Sequence, residues 1–212
     1  MKGARVGEFV EIKTQGGLAY AHYVLRHGHK PAWGDLVHVL PGLHRTRPDD
    51  LVERAYAPHL FVTFFPVAQA ARENFVEVVG FAEPTKAQAT LPTFRQLQLL
   101  CEDSRPRWSL WDGRRHWLVD ALTAEQRQFP RGPSVGNLPA LVDEILFRNG
   151  VITPDRREWL DKKRETLEPM ASAYTENGDY PSAANLYIEL LDTAPGDKAL
   201  QQALAAACRS FI

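Results

Sequence analysis

Residues 6–26 read VGEFVEIK, TQGG, LAYAHYVLR in succession. Apolar and polar side chains alternate from Val6 to Lys13, Thr14-Gln15-Gly16-Gly17 interrupts them, and Leu18 to Arg26 alternates again. A period of two on both sides of a Gly-Gly break is a β-hairpin signal, because the glycines supply the positive φ a tight reversal needs. Working outward, His27 to Pro31 reads as a polar loop and Asp35 to Leu40 as a short strand stopped by Pro41-Gly42. Leu60 to Phe65 (LFVTFF) is apolar, aromatic and β-branched, which predicts a central, buried strand. Pro66 suits the first turn of a short helix through Arg72, and Phe75 to Val79 makes another strand closed by Gly80. Asp112-Gly113 between Trp108–Trp111 and Arg115–Val119 is a second hairpin signal. Six or seven strands in sequence-adjacent antiparallel pairs, with one short helix among them, predict a curved sheet or partial barrel and argue against a parallel βαβ sheet.

The pattern then changes. Phe129 to Pro139 holds three prolines and two glycines and reads as a linker. Beyond it Leu138, Leu141, Val142, Ile145 and Leu146 follow helical spacing as far as Asn149-Gly150. Thr153-Pro154-Asp155 starts another helix, with Thr153 as N-cap, Pro154 in the first turn and Asp155 near the positive end of the dipole. Pro169 predicts a break or kink near Thr166. The sequence thus predicts an α+β protein: an antiparallel β-rich domain over 1–132 and a helical domain over 133–212.

Within the helical domain, Met170 to Pro195 reads as helix, turn, helix. Ala171 and Tyr174 share one face, and Asn177-Gly178-Asp179 ends the first helix with Gly178 in the left-handed cap conformation. Tyr180, Ala183, Ala184, Tyr187, Leu190 and Leu191 line the second helix, and Lys198 to Phe211 makes a third. Over residues 166–195 this resembles a tetratricopeptide repeat, with Tyr174, Gly178, Tyr180, Ala183 and Pro195 at fitting offsets. It departs from the pattern at Leu167, Ala171, Leu190 and Pro169. One such unit cannot bury its own apolar face. It is therefore expected to dock on the first domain, on a second copy as a homodimer, or on a partner.

The chain of 212 residues is 44% hydrophobic and 24% charged, a globular composition that needs neither disulfide nor metal to fold. Cys101 and Cys208, 107 positions apart, form no disulfide framework and no metal knuckle, which fits a reducing cytoplasm. The N-terminal MKGARVGEFVEIK has no signal-peptide core, and the apolar run Leu60 to Ala71 is about half a membrane span. A cytoplasmic protein without membrane attachment is expected. Net charge is −1, but Glu165 to Ile212 carries seven acids and two bases, −5, which leaves +4 on residues 1–164. That acidic segment could meet a basic partner.

Chemical motifs are sparse. There is no GxGxxG after a strand, no GxxxxGK[ST] and no GxSxG. His27 and His29 form an HxH pair without a second ligand pair at metal-binding spacing, so they read as loop residues and no metal or other cofactor is expected. His22 and His38 fall in strand patterns and read as cross-strand packing residues. Asp49-Asp50 and Glu102-Asp103 read as solvated loops, because adjacent strand residues point to opposite faces. Arg105, Arg107, Trp108, Trp111, Arg114, Arg115, His116 and Trp117 form a basic-aromatic cluster. Its alternative readings are a hairpin with buried tryptophans, a protein-binding patch, or a nucleic-acid surface with Arg on phosphate and Trp on bases.

Val6 to Ile12 followed by Gly17 to His22, then Asn74 to Gly80, Pro84 and Pro92-Thr93-Phe94, resembles the immunity protein 26 family over residues 4–95. Where that family places a G-x-W approach to the strand, this chain has Glu73-Asn74-Phe75. The resemblance implies a small bacterial, cytoplasmic α+β domain that is not an enzyme and neutralises a toxin by binding it. The expected function is therefore a non-enzymatic protein-binding module, an immunity-type inhibitor of a toxin from a neighbouring gene. A nucleic-acid-binding regulator using hairpin 105–117 is the alternative. Candidate partner-binding residues are Trp33, His44, Arg45 and Arg47 around the third strand, Trp108, Arg114 and Arg115 in the hairpin, and Glu176 and Tyr180 in the repeat.

Overall fold

The computed structural model describes residues 3–28, 34–99, 105–132 and 136–210. The chain divides into two compact units, Met1–Thr93 with Asp112–Arg114 and Gly132–Thr153, and Phe94–Trp111 with Arg115–Arg131 and Pro154–Ile212. One crossing between the units falls at Arg131/Gly132, and each unit draws on both halves of the sequence.

The first unit is built on β1 (Glu8–Thr14), β2 (Gly17–His27), β3 (Gly34–Val39), β4 (Phe61–Phe64) and β5 (Glu77–Phe81), an antiparallel sheet of order β4-β3-β2-β1-β5. The hairpin at Gly16-Gly17 forms where the sequence places it, with Gly17 at φ +128. Strand alternation sends Val10, Ile12, Ala19, Ala21, Tyr23, Val37 and Val39 to one face, which packs with α2 (Val67–Arg72) and α3 (Leu138–Arg148) through Val67, Ala70, Leu141 and Ile145. The opposite face carries Phe9, Tyr20 and Leu40 against Leu51 and Ala55 of α1 (Leu51–Ala55), a helix not foreseen. Asn137 caps α3 by accepting from the Ala140 N–H at 2.9 Å, and Asn149 at its end accepts from Gly42 N–H at 2.9 Å. The LFVTFF stretch is an edge strand, not a central one. Val62, Thr63 and Phe64 are buried on both faces, so the unbroken apolar run reports two covered faces and says nothing about neighbours.

The second unit holds the sheet β6 (Phe94–Gln98), β7 (Arg107–Trp111), β8 (His116–Val119) and the helices α4 (Pro154–Glu176), α5 (Tyr180–Leu191) and α6 (Lys198–Arg209). α5 is buried continuously from Ser182 to Leu190. Ala183, Leu186 and Leu190 pack with Leu167 and Ala171 of α4 and Leu200 and Ala207 of α6, while Ile188 meets Trp108, Leu110 and Leu122 on the sheet side. The tetratricopeptide-like pair therefore finds its cover inside its own unit. Gly178 takes φ +76 between the two helices and Asp179 caps α5 at the Ser182 N–H. Pro169 does not break α4, which runs through it unbroken. Nor is all of Phe129 to Pro139 a linker: the Arg95 N–H donates to Pro130 O at 2.9 Å and Arg131 bridges to Arg95.

Candidate functional site

The α1-side face of the five-stranded sheet carries a layer of polar groups. Tyr20 Oη donates to Glu11 Oε2 at 3.0 Å, and Arg47 bridges Glu11 at 3.0 Å and Glu77 at 3.1 Å. Burial pushes the Glu11 carboxyl up, yet the hydrogen bonds from Arg47 and Tyr20 outweigh it and hold it below the usual carboxylate range. The same burial, with the Glu11 bond added, raises the Tyr20 phenol to about 12. His22 and His38 face each other across β2 and β3, as the sequence predicts. His22 stacks on Phe9 and its Nε2 lies 2.9 Å from Ala82 O, while His38 lies 4.4 Å from His59 between ring centroids. Burial lowers His22 and His38, and His38, which also faces His22 and the exposed His59, is lowered to about 3. The arrangement is a packed, internally bonded layer. No three His, Cys, Asp or Glu side chains among the described residues gather as a metal would require.

The predicted contact residues disperse. Trp33 lies outside the described residues, as do His29 and Glu102-Asp103. Arg47 is exposed but engaged with Glu11 and Glu77, and His44 packs at 5.8 Å from Tyr20. Arg45, Arg114, Arg115 and Glu176 are exposed and Tyr180 is half-buried. Trp108 cannot serve as an anchor. It is fully buried, and its indole N–H donates to Asn185 Oδ1 at 3.0 Å. His27 is likewise not a loop residue but the buried end of β2.

The charges of the second unit are largely satisfied within it. Arg105 pairs with Asp179 and Arg107 with Asp120, so two arginines of the hairpin cluster already face carboxylates. Arg95 holds Asp192 through two hydrogen bonds of 2.7 and 2.9 Å, Arg131 and Lys163 both reach Glu189, and Arg164 bridges Glu168 and Asp197. Five of the seven acids of the segment starting at Glu165 are thus tied to cations or helix caps, which removes most of the free negative field expected of it.

An exposed apolar surface of the first unit lies elsewhere. β5 ends the sheet, and among the described residues no strand pairs with its outer edge. Its register slips against β1: Phe9 opposes Gly80 and Val10 opposes Val78, which leaves Val79 as an extra, bulged residue. Directly opposed residues share a face, so Val78 stands beside Val10, and Phe81 beside Glu8, on the same side of the sheet. Without the bulge, residues three apart would point in opposite directions. Val78 is 40% and Phe81 53% exposed, and Phe75, just before the strand, is 60% exposed. The Phe81 ring lies against Gly7, where an added Cβ would stand 2.4 Å from Phe81 Cε2. Sequence reasoning placed this strand two residues early and missed the strip. The available signal was Gly80, since a glycine inside a strand marks a bulge. In comparison with known protein families, curated proteins and solved structures, no match to the chain was found.

Proposed function

We propose that this chain is a non-enzymatic protein-binding module, an immunity-type inhibitor that docks a toxin domain through the outer edge of β5. The observation that carries this reading is the exposed pair Val78 and Phe81 on β5, whose outer edge no strand pairs among the described residues, with Phe75 exposed just before the strand. An exposed apolar strand edge is a template for a partner's strand. The resemblance over residues 4–95 supplies the class of partner. The arginines of hairpin 105–117 support a nucleic-acid surface less well, because Arg105 and Arg107 face carboxylates.

The test is co-expression with the toxin domain encoded beside the gene, together with a pulldown of the purified pair. Wild type should form the complex and restore growth, and Val78→Lys/Phe81→Lys should lose both while remaining folded. Absence of complex and protection with the wild-type chain refutes the reading; full protection by the double variant refutes the assigned surface.

A further inference from the structure

A cavity of about 270 Å³ opens in the first unit, lined by Arg26, Gly28 and Arg114 with Leu25, Ala89 and Leu91. It is formed where the end of β2 meets the turn Asp112–Arg114. His27 Nε2 lies 3.1 Å from Gly113 O, and a Cβ on Gly113 would fall 2.1 Å from Leu91 Cδ2. Gly113 is at φ +95, so both conformation and space reserve this position for glycine and bring the turn down onto Leu91 and His27.

Two features define what the cavity would take. Arg26 and Arg114 are exposed, and among the described residues no carboxylate pairs with either guanidinium, unlike Arg47, Arg54 or Arg95. Guanidinium groups hold planar carboxylates through paired N–H donors. Asp112 also borders the cavity, its Oδ1 accepting the Arg114 backbone N–H at 2.9 Å. Arg26 and Arg114 thus offer guanidinium donors to an anion, and Asp112 beside them works against a second negative charge on it. Leu25, Leu91 and Ala89 give the remaining wall an apolar character that a hydrocarbon body would cover.

The geometry points to a binding site for a small monocarboxylate with an apolar body, its carboxylate held between Arg26 and Arg114. This site is separate from the β5 strip and stands whether or not that strip binds a toxin.

The experiment titrates the full-length, isotopically labelled protein with isovalerate, acetate and inorganic phosphate at constant ionic strength, following amide shifts. Isovalerate should give saturable shifts at Leu25, Gly28 and Gly113, more tightly than acetate and phosphate. Arg26→Gln and Arg114→Gln should each weaken it at least about tenfold, while Arg72→Gln, an exposed arginine outside the cavity, should leave it unchanged. Both arginines are exposed, so either substitution preserves the fold, and one soluble variant suffices. Shifts that fail to saturate, tighter binding of phosphate, or undiminished affinity in the arginine variants overturn the assignment.

Discussion

Lowering the pH from 7 to 5 should destabilise the first unit, and His38→Gln should remove a definable part of that loss. His38 is packed between His22 on β2 and His59, with Val62 opposite it on β4, and no carboxylate is among the causes of its shift. Burial first, then the neighbouring imidazoles, lowers it to about 3 from an ordinary value of 6.5. A histidine whose folded value lies below its unfolded one stays neutral in the native state. The unfolded chain takes up the proton as pH falls through 6.5, so stability is complete above 6.5 and is lost progressively toward pH 3. Each group costs about 1.4 kcal/mol per pH unit in that window, so His38 alone removes about 2 kcal/mol between pH 6.5 and 5. His22, also buried, is shifted in the same direction and adds to the loss. Glu11 is lowered and has the opposite sign: its contribution is present above about 4.5 and fails only below that, outside the window. Four of the five tryptophans, Trp108, Trp111, Trp117 and Trp159, belong to the second unit, so tryptophan fluorescence would chiefly follow the other unit. The assay is therefore histidine ring NMR with hydrogen exchange of β2 and β3 amides at a series of pH values. His38→Gln should flatten the pH dependence of the exchange free energy by about one proton. A His38 ring titrating near 6.5, or an unchanged slope in the variant, refutes the reasoning.

Three further outcomes follow from the second unit. Asn185→Ala strips the partner from the Trp108 indole N–H and from the carbonyls of Pro106 and Asp120, all at the α5–sheet contact. Urea unfolding followed by tryptophan fluorescence should show a loss of roughly 3 kcal/mol or more, and a loss under 1 kcal/mol would contradict the assigned bonding. Arg95→Met leaves Asp192 without its two-bond partner and should cost about 3 kcal/mol, most of it recovered in Arg95→Met/Asp192→Leu; strict additivity in that cycle counts against a coupled pair. Pro169→Ala restores an N–H inside the continuous helix α4 at an exposed position and should raise the melting temperature, by up to about 3 kcal/mol of stability. A fall would mean that the proline ring makes a contact the helix needs.

The strongly periodic elements were legible in the sequence. The β1–β2 hairpin, the Asp112-Gly113 turn, α3 and the α4–α5 turn at Gly178 all lie where alternation, glycines and caps place them. What escaped was pairing at a distance. β6 has no clear alternation of its own, and it forms because β7 supplies its partner and Arg95 reaches Asp192 across 97 positions. Pro169 was misjudged for a related reason: a propensity penalty is local, whereas α4 is held by Leu167 and Ala171 packing on α5. The candidate surface was the least legible part. Trp108 looked like an anchor because tryptophan is frequent at interfaces, and only the placement of Asn185 shows that its N–H is satisfied inside.

Segment charge is an unreliable guide to surface charge when a helix is covered on all sides. Glu189 and Asp192 belong to α5 and its C-terminal cap, and the cations that meet them come from positions 95, 131 and 163. Asp179 and Asp197 spend their charge on backbone N–H groups at the starts of α5 and α6. The net −5 of that segment is made mostly of charges already compensated within the unit. The strip at β5 is the reverse case. Phe75 and Val78 read in sequence as part of an ordinary strand, and a one-residue bulge in β5 turns Val78 and Phe81 to the same side, with no strand paired beyond among the described residues. Association through such a strip would depend on apolar burial and strand pairing more than on charge, so its specificity would lie in shape and register.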